Sequence, residues 1–180
     1  VSTQFDLKPI ALGMVFAMMT LLFGETIGMV FGVAEDPVEE WISATIAANP
    51  ANPDLVTKSP EAIAKKSARY ILRGHFHGTG IGAMSVGLIL AIGASWVSAR
   101  WKMLLSLGVG VGGFIYPICW LGAGLLMPSI GKEAAKGAME ILVFPSIGMQ
   151  VTALLITLWI WVASFRSATG VPDGYGFLKR

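Results

Sequence analysis

Residues 73–80 read RGHFHGTG and contain both histidines of the chain, His75 and His77. Imidazole ligates iron and copper, and it exchanges protons near neutral pH. Either role needs partners held at fixed positions. On a helix, Arg69, Arg73 and His77 recur every four residues and share a face. His75 lies two residues from Arg73 and from His77, which turns it about 200° away from them. Two histidines so placed do not readily close on one metal, and neither HExxH nor CxxC spacing occurs. Other groups with chemistry to offer are Glu25, Tyr116, Cys119, Trp120 and Gln150, with Met84 and Met149 as soft sulfur donors.

The elements that must position these groups follow from composition. The chain has 180 residues, of which 54% are hydrophobic and 13% charged, with a mean hydropathy of +0.69. Soluble domains carry about 25% charge, so the composition indicates an all-α integral membrane protein. A formal charge of +2 gives no reason to expect a nucleic-acid partner. Cys119 is the only cysteine, which excludes an intrachain disulfide.

A spanning helix needs about 20 apolar residues. Four segments satisfy this, at about 10–33, 70–97, 103–127 and 138–165, within a single membrane domain covering 1–180. They are too long and continuous for barrel strands. The first run lacks the basic start and small-residue cleavage site of a signal peptide, and it reads as a retained span. The expectation is a four-transmembrane-helix bundle with a loop over 34–59 and a polar tail over 166–180. Within the loop, a short amphipathic segment would lay Trp41, Ile42, Thr45 and Ile46 on the membrane interface. Ser59, Pro60 and Glu61 carry the signals of a helix start. Pro117, Pro128 and Pro145 are expected to kink or end helices. Gly24, Gly28 and Gly32 on the first span, and Gly74, Gly78 and Gly82 on the second, form smooth stripes that bring helices close. Gly108 and Gly112 do so on the third.

Counting from the span ends at about 1.5 Å per residue, Glu25, His77, Tyr116, Cys119 and Trp120 fall in one leaflet, with Gln150 entering from the same side. Ionisable groups at such depth indicate function by default. Three readings follow. In the first, Glu25 pairs with Arg73 or His77, and the polar cluster of Glu25, Arg73, His77, Tyr116, Cys119, Trp120 and Gln150 is internal glue. In the second, His75 or His77 ligates haem b, or less readily copper or another metal. Met84 or Met149 could be a further ligand, Arg69 and Arg73 could hold propionates, and Glu25 with His77 is a candidate metal pair. Both histidines lie on one helix, so a bis-histidine haem would need a homodimer or another subunit. In the third, Glu25, His77 and Gln150 line a proton or ion path. Quinone or lipid binding at Trp120, Tyr116 and His75 is a smaller fourth possibility.

The stretches ARYILRGHFHGTGIGAMSVG and FIYPICWLGAGLLMPSIGKEAAK resemble small four-helix bacterial membrane proteins. The shared positions are Arg73, His75, Phe76, His77, Thr79 and Gly80, then Tyr116, Pro117, Trp120, Pro128, Gly131 and Lys132. The resemblance implies a bacterial inner-membrane protein and no activity. The acidic long loop favours both termini in the cytoplasm. The functional expectation is a small subunit of a larger redox assembly, in contact with lipid and with other subunits or its own copies. The alternatives are a non-catalytic structural subunit and a proton or ion conduit.

Overall fold

The structure is a computed structural model that describes residues 7–168. Asp6, Asp173, Lys179 and Arg180, with the rest of the polar tail beyond residue 168, lie outside the described residues. Four long helices make up nearly all of the described chain: α1 (Ala11–Ala48), α2 (Pro60–Ala94), α3 (Ala99–Ile130) and α4 (Lys132–Ala168). All four are long and apolar enough to cross a membrane, and no strand occurs among the described residues.

The first helix runs fifteen residues past its expected end at 33, to Ala48. The backbone leaves helical geometry at Ala34, with φ −133° and ψ 37°. Pro37 explains the break, because its ring crowds the Val33 carbonyl and it has no N–H to donate. Beyond the kink, Ile42 and Ile46 do not lie on an interface but are buried against Ile63, Ile71, Met127 and Ala135. Trp41 stays exposed. The connecting loop therefore shortens to 49–59.

Ser59 caps α2 as its sequence position suggests, its Oγ accepting from the Ala62 N–H at 3.3 Å. Residues 95–98 turn the chain tightly into α3, and Lys102 Nζ closes the turn by donating to the Gly93 carbonyl at 2.7 Å. At the other end of α3, Gly131 adopts φ +82°, a region that a side chain disfavours. Asn52 secures that end, donating to the carbonyls of Met127 at 3.0 Å and Pro128 at 2.8 Å. Helices α3 and α4 continue past Pro117 and Pro145 and do not end there, whereas α3 ends at Ile130, two residues after Pro128. One of the orphaned carbonyls is taken up from another helix. Pro128 cannot donate to Gly124, and the Ser67 Oγ donates to that carbonyl instead, at 2.6 Å.

Helices α1, α2 and α3 pack mutually, whereas α4 rests almost wholly on α3. Glycines set this closeness. Gly24 and Gly78 oppose each other, so a Cβ on Gly78 would lie 2.7 Å from the Gly24 Cα. Gly82 meets Leu21, while Gly74 faces α3 at Pro117 and Leu121 as well as Ile27. Gly112 abuts the Ser146 carbonyl of α4. Gly32 is the exception in the expected stripe, with nothing within 4 Å. The outer face of α4 exposes Ile141, Phe144, Leu155, Leu158 and Phe165.

Candidate functional site

Lys66, Tyr70, Arg73 and His77 are spaced four, three and four residues apart, so they form one stripe of α2. The stripe meets Tyr116 and Trp120, one turn apart on α3. The His77 ring stacks on Tyr116 at 5.2 Å with 12° between planes and sits edge-on to Trp120 at 5.7 Å. Tyr70 stacks on Trp120 at 5.2 Å. The Arg73 guanidinium lies 4.7 Å over Trp120 and 5.1 Å over Tyr70, and Lys66 Nζ lies 5.5 Å over Tyr70. Arg73 is exposed, and at such sites each of its two contacts is worth about 0.5–1 kcal/mol. Among the described residues the ion pairs join Lys58 to Asp54 and both Lys132 and Lys136 to Glu133. The charge of Arg73 is therefore met by aromatic faces and not by Glu25.

Across Trp120, α3 and α4 enclose a cavity of about 260 Å³, open to one side. Tyr116, Cys119, Trp120 and Ala123 line it from α3, and Met139, Val143 and Phe144 from α4. Lys136 and Glu140, one turn apart, add one charge of each sign to its wall. The Trp120 indole N–H is buried and meets no acceptor. Cys119 is buried in the same wall.

The two histidines diverge as the helical spacing requires, but both turn toward neighbouring helices. His77 faces α3. His75 faces α1, with its ring over Gly28 and Nδ1 2.8 Å from the Gly24 carbonyl. A carbonyl only accepts, so Nδ1 carries the proton and a neutral ring keeps its lone pair on Nε2. Glu25 neighbours this flank: its Oε1 accepts from Thr79 Oγ1 at 3.3 Å, the contact the structure shows in place of the expected pairing with Arg73 or His77. Arg69 does not join Arg73 over the aromatic rings. It is exposed, and its Nε donates to the Lys65 carbonyl at 3.3 Å.

The expected haem and metal donors do not converge. Met84 and Met149 are exposed, and Met149 borders Gly108, about 12 Å along α3 from Tyr116 at helical rise. No group of three or more His, Cys, Asp or Glu gathers to hold a metal among the described residues. Nor do Glu25, His77 and Gln150 form a chain. Glu25 bonds Thr79, His77 stacks on Tyr116, and Gln150 is buried beside Gly112 and Gly113. Of the expected cluster, Arg73, His77, Tyr116 and Trp120 assemble, and Cys119 lines the cavity beside Tyr116 and Trp120.

Sequence reasoning passed over Tyr70 and Lys66. Their place on the Arg73–His77 stripe was the available signal. It also passed over Lys136 as part of the site, because the packing of α4 on α3 has no local signature. Neither a family model, nor a curated protein, nor a solved structure matches this chain.

Proposed function

We propose that the protein is a non-catalytic integral membrane subunit that holds the polar head of a membrane-soluble ligand, a lipid or a quinone, in the α3–α4 cavity. The cavity itself carries this reading: its walls are apolar and aromatic, and its only charges are Lys136 and Glu140. Such a lining buries a hydrophobic body and orients one polar end. The reading places the chain in a bacterial inner membrane with both termini cytoplasmic. Its partners there are other subunits, or its own copies, on the apolar outer face of α4.

The test is to purify the full chain in mild detergent, extract what remains bound, and identify it by mass spectrometry. A retained lipid or quinone, lost when Val143→Trp fills the cavity, is the expected result. Retention unaffected by Val143→Trp would overturn the assignment.

One observation favours a second reading, membership of a redox assembly. The Nδ1–H of His75 is anchored on a backbone carbonyl, which is how metal-ligating imidazoles are commonly oriented. Nε2 of His75 has no hydrogen-bond partner among the described residues. A Soret band abolished by His75→Ala but retained in His77→Ala would establish it.

A further inference from the structure

Deep in the bundle, two helices direct polar groups at one glycine of a third. Ser85 on α2 is fully buried, and its Oγ has no hydrogen-bond partner. Gln150 on α4 is 8% exposed, and its Nε2 likewise has none. Gly113 on α3 lies between them. A Cβ built on Gly113 would stand 3.0 Å from Ser85 Oγ and 3.3 Å from Gln150 Nε2. The two orphaned atoms thus approach the same side-chain-free face of Gly113, where Ile81 Cγ2 also closes in, 3.1 Å from that Cβ position. Pro117 adds a third group to the same level. It has no N–H to return to the Gly113 carbonyl, so that acceptor lacks its regular helical partner.

Two donors and an acceptor without mutual bonds are costly where lipid and side chains exclude bulk solvent. At the Gly124 carbonyl, the equivalent loss to Pro128 is repaired by the Ser67 Oγ. Among the described residues no side chain repairs it at Gly113. We infer that Ser85, Gln150 and the Gly113 carbonyl bind one ordered water molecule, which bridges α2, α3 and α4. A buried water takes about three hydrogen bonds from groups otherwise unsatisfied, and these three groups supply that number. Ser85 lies nine residues before the end of α2, about 14 Å along the axis by helical rise, so the water sits well inside the apolar zone. It gives α4 a polar tie to α2, a helix it otherwise barely touches. The site is independent of the α3–α4 cavity near Trp120 and does not rest on that proposal.

An experimental structure of the full chain, at a resolution that shows ordered solvent, tests this directly. The expected result is a solvent peak within hydrogen-bonding distance of Ser85 Oγ and the Gln150 amide. Direct bonding of the two side chains to each other, with no peak between them, would overturn the inference. A stability cycle gives a second check without a structure. Ser85→Ala and Gln150→Leu should each lower the melting temperature in detergent. The double variant should lose less than the sum, because removing both groups also removes the need for the water. Strictly additive losses would show that no shared partner joins them and would also overturn it.

Discussion

Asp54 shows how one side chain can brace a loop internally and hold it to the start of a helix. Its Oδ2 accepts from the backbone N–H of Lys132 at 3.0 Å, and its Oδ1 accepts from Lys58 Nζ at 2.8 Å. Burial pushes its carboxyl upward. The Lys58 hydrogen bond, the Lys132 N–H and the charges of both lysines outweigh that and hold it below the ordinary 3.8. A carboxylate lowered in the folded state contributes stability that is fully present above its unfolded value. That stability is lost as the pH falls through the folded one. Asp54→Ala should therefore cost about 1–3 kcal/mol at pH 7. The gap to the unsubstituted protein should close as the pH is taken well below 3.8. Unfolding followed in detergent across that range checks this, and a gap independent of pH would refute it. His75 acts on the same scale with a different device, taking the Gly24 carbonyl and laying its ring on Gly28.

Between elements, the decisive contact is the meeting of α1 and α2 at Gly24 and Gly78. Backbone atoms face each other there, and a backbone cannot rotate aside as a flexible side chain can. A methyl on residue 78 would lie 2.7 Å from the Gly24 Cα and 2.9 Å from its nitrogen. Gly78→Ala should force the helices apart at a cost of about 1–3 kcal/mol. Gly80, two residues on, has nothing within 4 Å of its own Cβ position. Gly80→Ala should leave stability within about 0.5 kcal/mol of the original. Paired thermal melts decide the matter, and equal effects from the two substitutions would show that the interface is not set by these glycines. The kink at Ala34 belongs to this scale too. It bends the last turns of α1 over the bundle end, where Ile42 and Ile46 join the buried cluster.

For the whole molecule, four helices that each cross a membrane would put the loop over 49–59 on the side opposite the α2–α3 turn. Val56 in that loop is 86% exposed, and Arg100 follows the turn and is exposed. Cysteines introduced singly at these two positions, in a Cys119→Ala background, should be labelled by an impermeant reagent from opposite sides. Labelling from one side would contradict four crossings.

The sequence by itself determined the four helices, the Ser59 cap, the short α2–α3 turn and the opposed directions of His75 and His77. These depend on runs of apolar residues, on a capping residue and on the 3.6-residue turn, all of which are local. It also marked Arg73, His77, Tyr116 and Trp120 as candidates to meet. Only the tertiary structure decided that Glu25 bonds Thr79, that Tyr70 and Lys66 complete the aromatic stripe, and that Met84 and Met149 face away. The same is true of Lys136 and Glu140 sharing a cavity with Trp120. The physical reason is that an apolar helix is satisfied by lipid or by another helix alike. Which helix covers which face is settled by the fit of glycines, rings and carbonyls far apart in the chain.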